Sequence, residues 1–211
     1  MKQYCPLLLV LALAACNGGS SHSHEHMHTD SMHAMHDTAT TAVSMKGLMD
    51  KMMTAMHAQK ATGNTDIDYA NMMLQHHQGA VNMAQLQLAQ GSNEVLKEFS
   101  RKVIADQQKE IAVLGEYISK AKADLSPDAA SFKNAMDSSM NTMMNAMPEQ
   151  YNNIDKDFVA QMIPHHQSAV DMAKAYLRFG NAPVLKQLSE SIITAQEKEI
   201  SWLKEWLQKN G

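Results

Sequence analysis

Methionine recurs at helical spacing in two parts of this chain. Met45, Met49, Met52, Met53 and Met56 stand at i, i+4, i+7, i+8 and i+11, and Met136, Met140, Met143, Met144 and Met147 repeat the series. At about 100° per residue each set falls within about a third of a helix circumference. Two further apolar patterns follow each stripe. The spacing predicts a second helix over about 66–90 and again over 155–179, ending at Gly91 and Gly180 in the C′ role. It predicts a third over about 93–121 and 182–209, where Ile104, Ile111, Leu114 and Ile118, then Ile193, Ile200, Leu203 and Leu207, are spaced as in a heptad. Ser44 and the Ser126-Pro127 pair are candidate starts for the two methionine helices. No strand pattern competes, so the predicted fold class is all-α, with antiparallel helices packed as bundles.

The recurrence is a tandem duplication. DYANMMLQHHQGAVNMA, from Asp68 to Ala84, aligns with DFVAQMIPHHQSAVDMA, from Asp157 to Ala173, at an offset of 89 residues. The same offset carries Val95-Leu96-Lys97 onto Val184-Leu185-Lys186 and Lys109-Glu110-Ile111 onto Lys198-Glu199-Ile200. Repetition is established by identity, which gives two three-helix units at 45–124 and 125–211.

The segment before the first repeat has a different character. Lys2, the apolar run from Leu7 to Ala14, and Leu13-Ala14-Ala15-Cys16 resemble a lipoprotein signal peptide ending in a lipobox. The expectation is a signal peptide at 1–15, a lipid-bearing Cys16, and an envelope protein on the periplasmic side of a membrane, with Asn17 compatible with an outer-membrane address. Residues 16–44 lack apolar periodicity and read as a tether. They hold His22, His24, His26, His28, His33 and His36, six of the chain's eleven histidines, interleaved with methionine. Imidazoles on an unfolded backbone can converge on one ion; a merely soluble linker is the alternative.

Composition narrows the chemistry. With Cys5 removed and Cys16 blocked, the mature chain has no free thiol, so a soft-metal site must use methionine and histidine. A formal net charge of -4 and the low aromatic content argue against nucleic-acid binding. Thioethers favour soft ions such as Cu(I), although methionine on such a stripe also fills helical cores.

The more specific ligands lie in the second helix of each unit. Met73, His76, His77 and Met83 recur as Met162, His165, His166 and Met172. On a helix His76 and Met83 fall about 20° apart, while adjacent histidines are about 100° apart and flank one axis without both pointing at it. Pro164 precedes the second pair where Gln75 precedes the first, which predicts a kink and inequivalent sites. Gln107 and Gln196 occupy core-type positions on the third helices. Each is a candidate acceptor for the second N–H of a metal-binding imidazole, with backbone or water as the alternative partner. Glu110 and Glu199 are expected at the rim. Neither a Glu-x-x-His pair of a di-iron bundle nor a His-Glu-x-x-His falls in the helical region, the one such run being His24 to His28 in the tail, and no nucleophile elbow or phosphate loop occurs.

Met162 to Ala173, together with Ile192 to Ile200, resembles the signature of the domain-of-unknown-function family 305. That resemblance covers 45–210 and implies a ferritin-like bundle. It also implies kinship with the family's periplasmic copper-binding branch, in which His and Met bind copper for tolerance of excess metal. The expected function is non-enzymatic sequestration or buffering of Cu(I) and Cu(II), with Ag(I) as a second soft ion, and exchange with a copper carrier or efflux protein. A copper-dependent oxidase and a metal-free module gripping partner helices by its methionine faces are the alternatives.

Overall fold

The computed structural model describes residues 43–210. Cys16 and the six tail histidines lie outside them. The described residues belong to one compact unit. Among the described residues there are six helices and no strand: α1 (Met45–His57), α2 (Thr65–Gln90), α3 (Glu94–Lys120), α4 (Ala129–Asn145), α5 (Ile154–Phe179) and α6 (Pro183–Asn210). None is long and apolar enough to cross a membrane.

Local chemistry sets most of the boundaries. Ser44, Asn64, Asn93 and Asn153 each accept a backbone N–H of the first turn on their side-chain oxygen, satisfying donors that the helix cannot. α4 starts later than Ser126-Pro127 suggests. Ser126 is taken by the other end of the first repeat, where its hydroxyl accepts from Thr65 N at 3.0 Å and its N–H donates to Gly63 O at 2.8 Å. The helix therefore opens at Asp128, without a side-chain cap.

Gly91 and Gly180 do end α2 and α5, but not as left-handed C′ residues. Their φ values are -68° and -82°, within reach of any residue. Their need for glycine is steric: a Cβ on Gly91 would run into the Gln87 side chain, and one on Gly180 into the Tyr176 ring.

Those two side chains belong to the joint between the repeats. Asp66, at the start of α2, accepts from Tyr176 Oη at 2.5 Å and from Asn181 N at 2.8 Å, beyond the end of α5. Asp155, at the start of α5, accepts from Gln87 Nε2 at 2.5 Å and from Ser92 and Asn93 N at 3.1 Å, beyond the end of α2. The start of each helix thus meets the end of the other, so α2 and α5 run antiparallel. Each repeat caps the other's loop with a carboxylate. α3 packs on α2 and α6 on α5, while α1 and α4 each lie across both central helices.

The core face of the third helices is rotated from the heptad expected. Leu96, Ser100, Val103, Gln107 and Leu114 are buried on α3, whereas Ile104 and Ile111 are only partly covered. α6 matches with Leu185, Ser189, Ile192, Gln196 and Leu203, and there the expected Ile200 is buried as well. Two serines and two glutamines interrupt what periodicity alone would make apolar, which is why the isoleucines looked like the seam.

Candidate metal centre

α5 continues through Pro164, which leaves no backbone N–H for the carbonyl of Ala160. His165 and His166 follow it. They face His76 and His77 across the antiparallel α2–α5 contact, and all four imidazoles are fully buried. The rings of His76 and His165 lie 3.8 Å apart between centroids, tilted by 38°. His165 Nε2 sits 3.1 Å from the backbone carbonyl of His76, so that nitrogen carries the proton and Nδ1 holds the lone pair.

None of the remaining imidazole nitrogens has a hydrogen-bond partner: both in His76, both in His77, both in His166, and Nδ1 of His165 are orphaned. Buried polar atoms are ordinarily paired, so this many orphans in one place calls for a ligand. Burial, together with the charges that His165, His77 and His166 would carry, holds the His76 imidazole well below the usual histidine range. Burial and His166 do the same to His165, against the opposing pull of the His76 carbonyl. These two rings are neutral at pH 7 and keep lone pairs for a metal.

The expected rim carboxylates turn inward. His77 Nε2 lies 2.7 Å from Glu110 Oε2, and His166 Nε2 lies 3.1 Å from Glu199 Oε2. Sequence reasoning left both glutamates outside the site. The one signal was their recurrence at the 89-residue offset, three residues after each buried glutamine. Burial pushes the Glu199 carboxyl up, but His166 and Lys102 outweigh it and hold it below the usual range. Gln107 and Gln196 are buried as expected, yet neither Oε1 accepts a hydrogen bond, so no imidazole N–H reaches them there.

Methionine surrounds this polar centre. Met73, Met83, Met162 and Met172 are fully buried, and all five methionines of the first stripe lie in the core. The second stripe is incomplete. Met136, Met140 and Met143 are buried, Met144 is 42% exposed, and Met147 lies beyond the last residue of α4 and is partly covered. The adjacent Met143 occupies the face that α4 buries, which turns Met144 to solvent. A groove of about 210 Å³ reaches Met56, Met72, Met136 and Met140, with His57, the eleventh histidine, exposed at its edge. Among the described residues no three His, Cys, Asp or Glu side chains gather closely enough to hold one ion. A metal bound here must therefore complete its shell with thioether, amide or water.

The sequence model described as "Domain of unknown function (DUF305)" matches residues 16–118 and 66–207. The chain belongs to the DUF305 family. Among solved structures it is similar to CopM in an Ag-bound form, at 31% identity and TM-score 0.53, over 68% of this chain and 95% of that one. It is similar to CopM in the Cu(II)-bound form at 29% identity and TM-score 0.53, over 69% and 97% of the two chains. CopM in the Cu(I)-bound form gives 31% identity and TM-score 0.52, over 68% and 96%. No curated protein matches significantly.

Proposed function

We propose that this chain is a cell-envelope copper-binding protein that sequesters or buffers Cu(I) and Cu(II), and Ag(I) by the same chemistry, for tolerance of excess metal. The carrying observation is the group of four buried imidazoles with orphaned nitrogens inside a methionine-rich core. Neutral imidazole and thioether are a donor set suited to a soft, monovalent ion, and the absence of cysteine from 17–211 makes methionine the available source of softness. Solved structures of CopM with Cu(I), Cu(II) and Ag lend the same direction. In this reading His76, His77, His165 and His166 hold metal with nearby sulfurs, and the stripe methionines combine packing with soft-metal affinity. The tail histidines capture ions beside the membrane to which a lipid on Cys16 tethers the chain. The protein performs no turnover; it holds metal and releases it to a carrier or efflux partner.

Metal analysis of the full chain after exposure to Cu(I), Ag(I), Cu(II), Zn(II) and Ni(II) tests this. Replacing His76, His77, His165 and His166 together with alanine should abolish the Cu(I) and Ag(I) that resist a chelator, leaving only weakly held ions. Unchanged retention of Cu(I) in that variant would sink the proposal.

A further inference from the structure

The two histidine–glutamate contacts are close but not linear. Nε2 of His77 and of His166 lie 2.7 and 3.1 Å from a carboxylate oxygen, yet both nitrogens remain without a hydrogen-bond partner. The oxygens therefore lie off the nitrogen axes. Two donors bonded to one transition metal at about 2.0–2.1 Å and at a right angle stand roughly 2.9 Å apart, each off the other's axis. The observed separations fall on either side of that value, in both repeats.

A third donor accompanies each pair. Gln107 precedes Glu110 by three residues on α3, and Gln196 precedes Glu199 by three on α6, so each amide stands beside its carboxylate on one helix face. Both amides are buried, and their Oε1 atoms accept nothing. Imidazole nitrogen, carboxylate oxygen and amide oxygen form a harder set than imidazole with thioether, and N,O ligation suits Cu(II). The carboxylates are 14–18% exposed while the imidazoles are fully buried, which gives an ion a route from the rim inward.

The geometry points to a separate divalent-cation site in each repeat, Gln107–Glu110–His77 and Gln196–Glu199–His166, that takes Cu(II) through nitrogen and oxygen. It shares His77 and His166 with the Cu(I) reading above but rests on donors that reading does not use. The two sites are not equal. Lys102 Nζ lies 2.6 Å from Glu199 Oε1, whereas Ser191 stands at the position equivalent to Lys102 in the second repeat. An ammonium on the ligand carboxylate weakens a divalent ion's hold, so the first repeat binds more tightly.

Full-length protein carrying Glu110→Gln, Glu199→Gln or Lys102→Ser, each shown folded by circular dichroism, would be titrated with Cu(II) and read by electron paramagnetic resonance. The same samples would be loaded separately with Cu(I). Glutamine nearly preserves shape and can still accept a hydrogen bond, so a merely structural role survives the change. Each Glu→Gln variant should lose one Cu(II) signal or weaken it on the order of 100-fold, while Cu(I) retention stays at the parental level. Lys102→Ser should tighten the weaker Cu(II) site. Unchanged Cu(II) binding in both glutamine variants overturns the inference, as does a parallel loss of Cu(I) and Cu(II). Failure of the copper-buffering proposal would appear differently, as Cu(I) retention indifferent to the four-histidine variant.

Discussion

In the first repeat Tyr69 sends its hydroxyl across the molecule to Ser189 Oγ at 2.7 Å; in the second, Phe158 stands at the equivalent position and its serine, Ser100, has no partner. At the opposite ends of the same helices, Gln87 in the first repeat and Tyr176 in the second both donate to a carboxylate of the other repeat. Met72 is matched by Gln161, Gly79 by Ser168, and Lys102 by Ser191. The paired histidines, the glutamines beside them, Glu110 with Glu199, and Asp66 with Asp155 are the same in both. The difference teaches which positions tolerate change. Around the centre the repeats keep the histidines, glutamates and glutamines, and they diverge in the shell that packs about them.

The reciprocal carboxylates are where breaking the comparison should cost most. Asp155→Ala leaves the buried Gln87 amide without an acceptor and turns the part-buried N–H groups of Ser92 and Asn93 to water, and at about 1–3 kcal/mol for a buried group the loss should reach about 2–3 kcal/mol. Hydrogen bonds hold the Asp155 carboxyl below its usual range against burial, so its contribution is present at neutral pH and lost as acid protonates it. Asp66→Ala should cost slightly less, because Asp66 accepts from Tyr176, Asn181 and Ala182 but has no counterpart of the hydroxyl that Ser92 donates to Asp155. Urea unfolding measures both. Two mutants of equal, negligible effect would show that the repeats are not held together here.

Acid should act through the pair that touches across the repeats. His76 and His165 have folded-state values depressed below the unfolded value of about 6.5. Above that pH both states are neutral and nothing changes. Below it the unfolded chain binds protons that the folded chain refuses, so stability falls progressively as the pH drops, with both rings contributing to the slope. His76→Gln should roughly halve the slope of stability against pH between 6.5 and 5.5. A urea midpoint that is flat across that window would contradict the burial of neutral rings.

Helix content, the duplication and the identity of the central histidines were legible in the sequence because each is carried by periodicity or by local identity. The joint between the repeats was not. Asp66 and Asp155 look like ordinary first-turn acids favouring a helix N-terminus, and only antiparallel pairing of α2 with α5 reveals that they cap the other repeat. That Glu110 and Glu199 reach the imidazoles from the rim was hidden for a related reason. A charge on a seam that is one residue out of phase with the isoleucines looks solvated until Gln107 and Gln196 fix the true rotation of the helix. The methionine stripes were legible as a face, but their spacing could not say that α4 ends before Met147.

Substitution at the helix-ending glycines sharpens the contrast between a flexible and a fixed neighbour. A Cβ at Gly180 meets the Tyr176 ring, which is stacked on Tyr69 at 4.1 Å and tied to Asp66, so it cannot yield. A Cβ at Gly91 meets the more adaptable Gln87 amide, though one held by Asp155, together with the fixed backbone carbonyl of Gln87. Gly180→Ala should cost about 2–3 kcal/mol and Gly91→Ala about 1–2 kcal/mol, both read from thermal or urea unfolding. The reverse order would place the rigid contact in the first repeat instead.

The smallest expected effect tests the comparison most directly, because it makes one repeat resemble the other. Phe158→Tyr would place a hydroxyl where Tyr69 has one, toward Ser100, whose oxygen is buried and unpaired. A satisfied hydrogen bond is worth about 1 kcal/mol net, so the variant should gain about that much if the ring keeps its place. Tyr69→Phe should lose slightly more, since it leaves Ser189 with only the carbonyl of Leu185 and removes a bond already made. Adding both changes exchanges the asymmetry between the repeats and should return the urea midpoint close to that of the parent. A stabilising effect in the single variant that vanishes when Ser100 is also replaced by alanine would assign the gain to that hydroxyl pair. Persistence of the gain without Ser100 would instead credit packing, and the two repeats would then differ by shape rather than by a missing hydrogen bond.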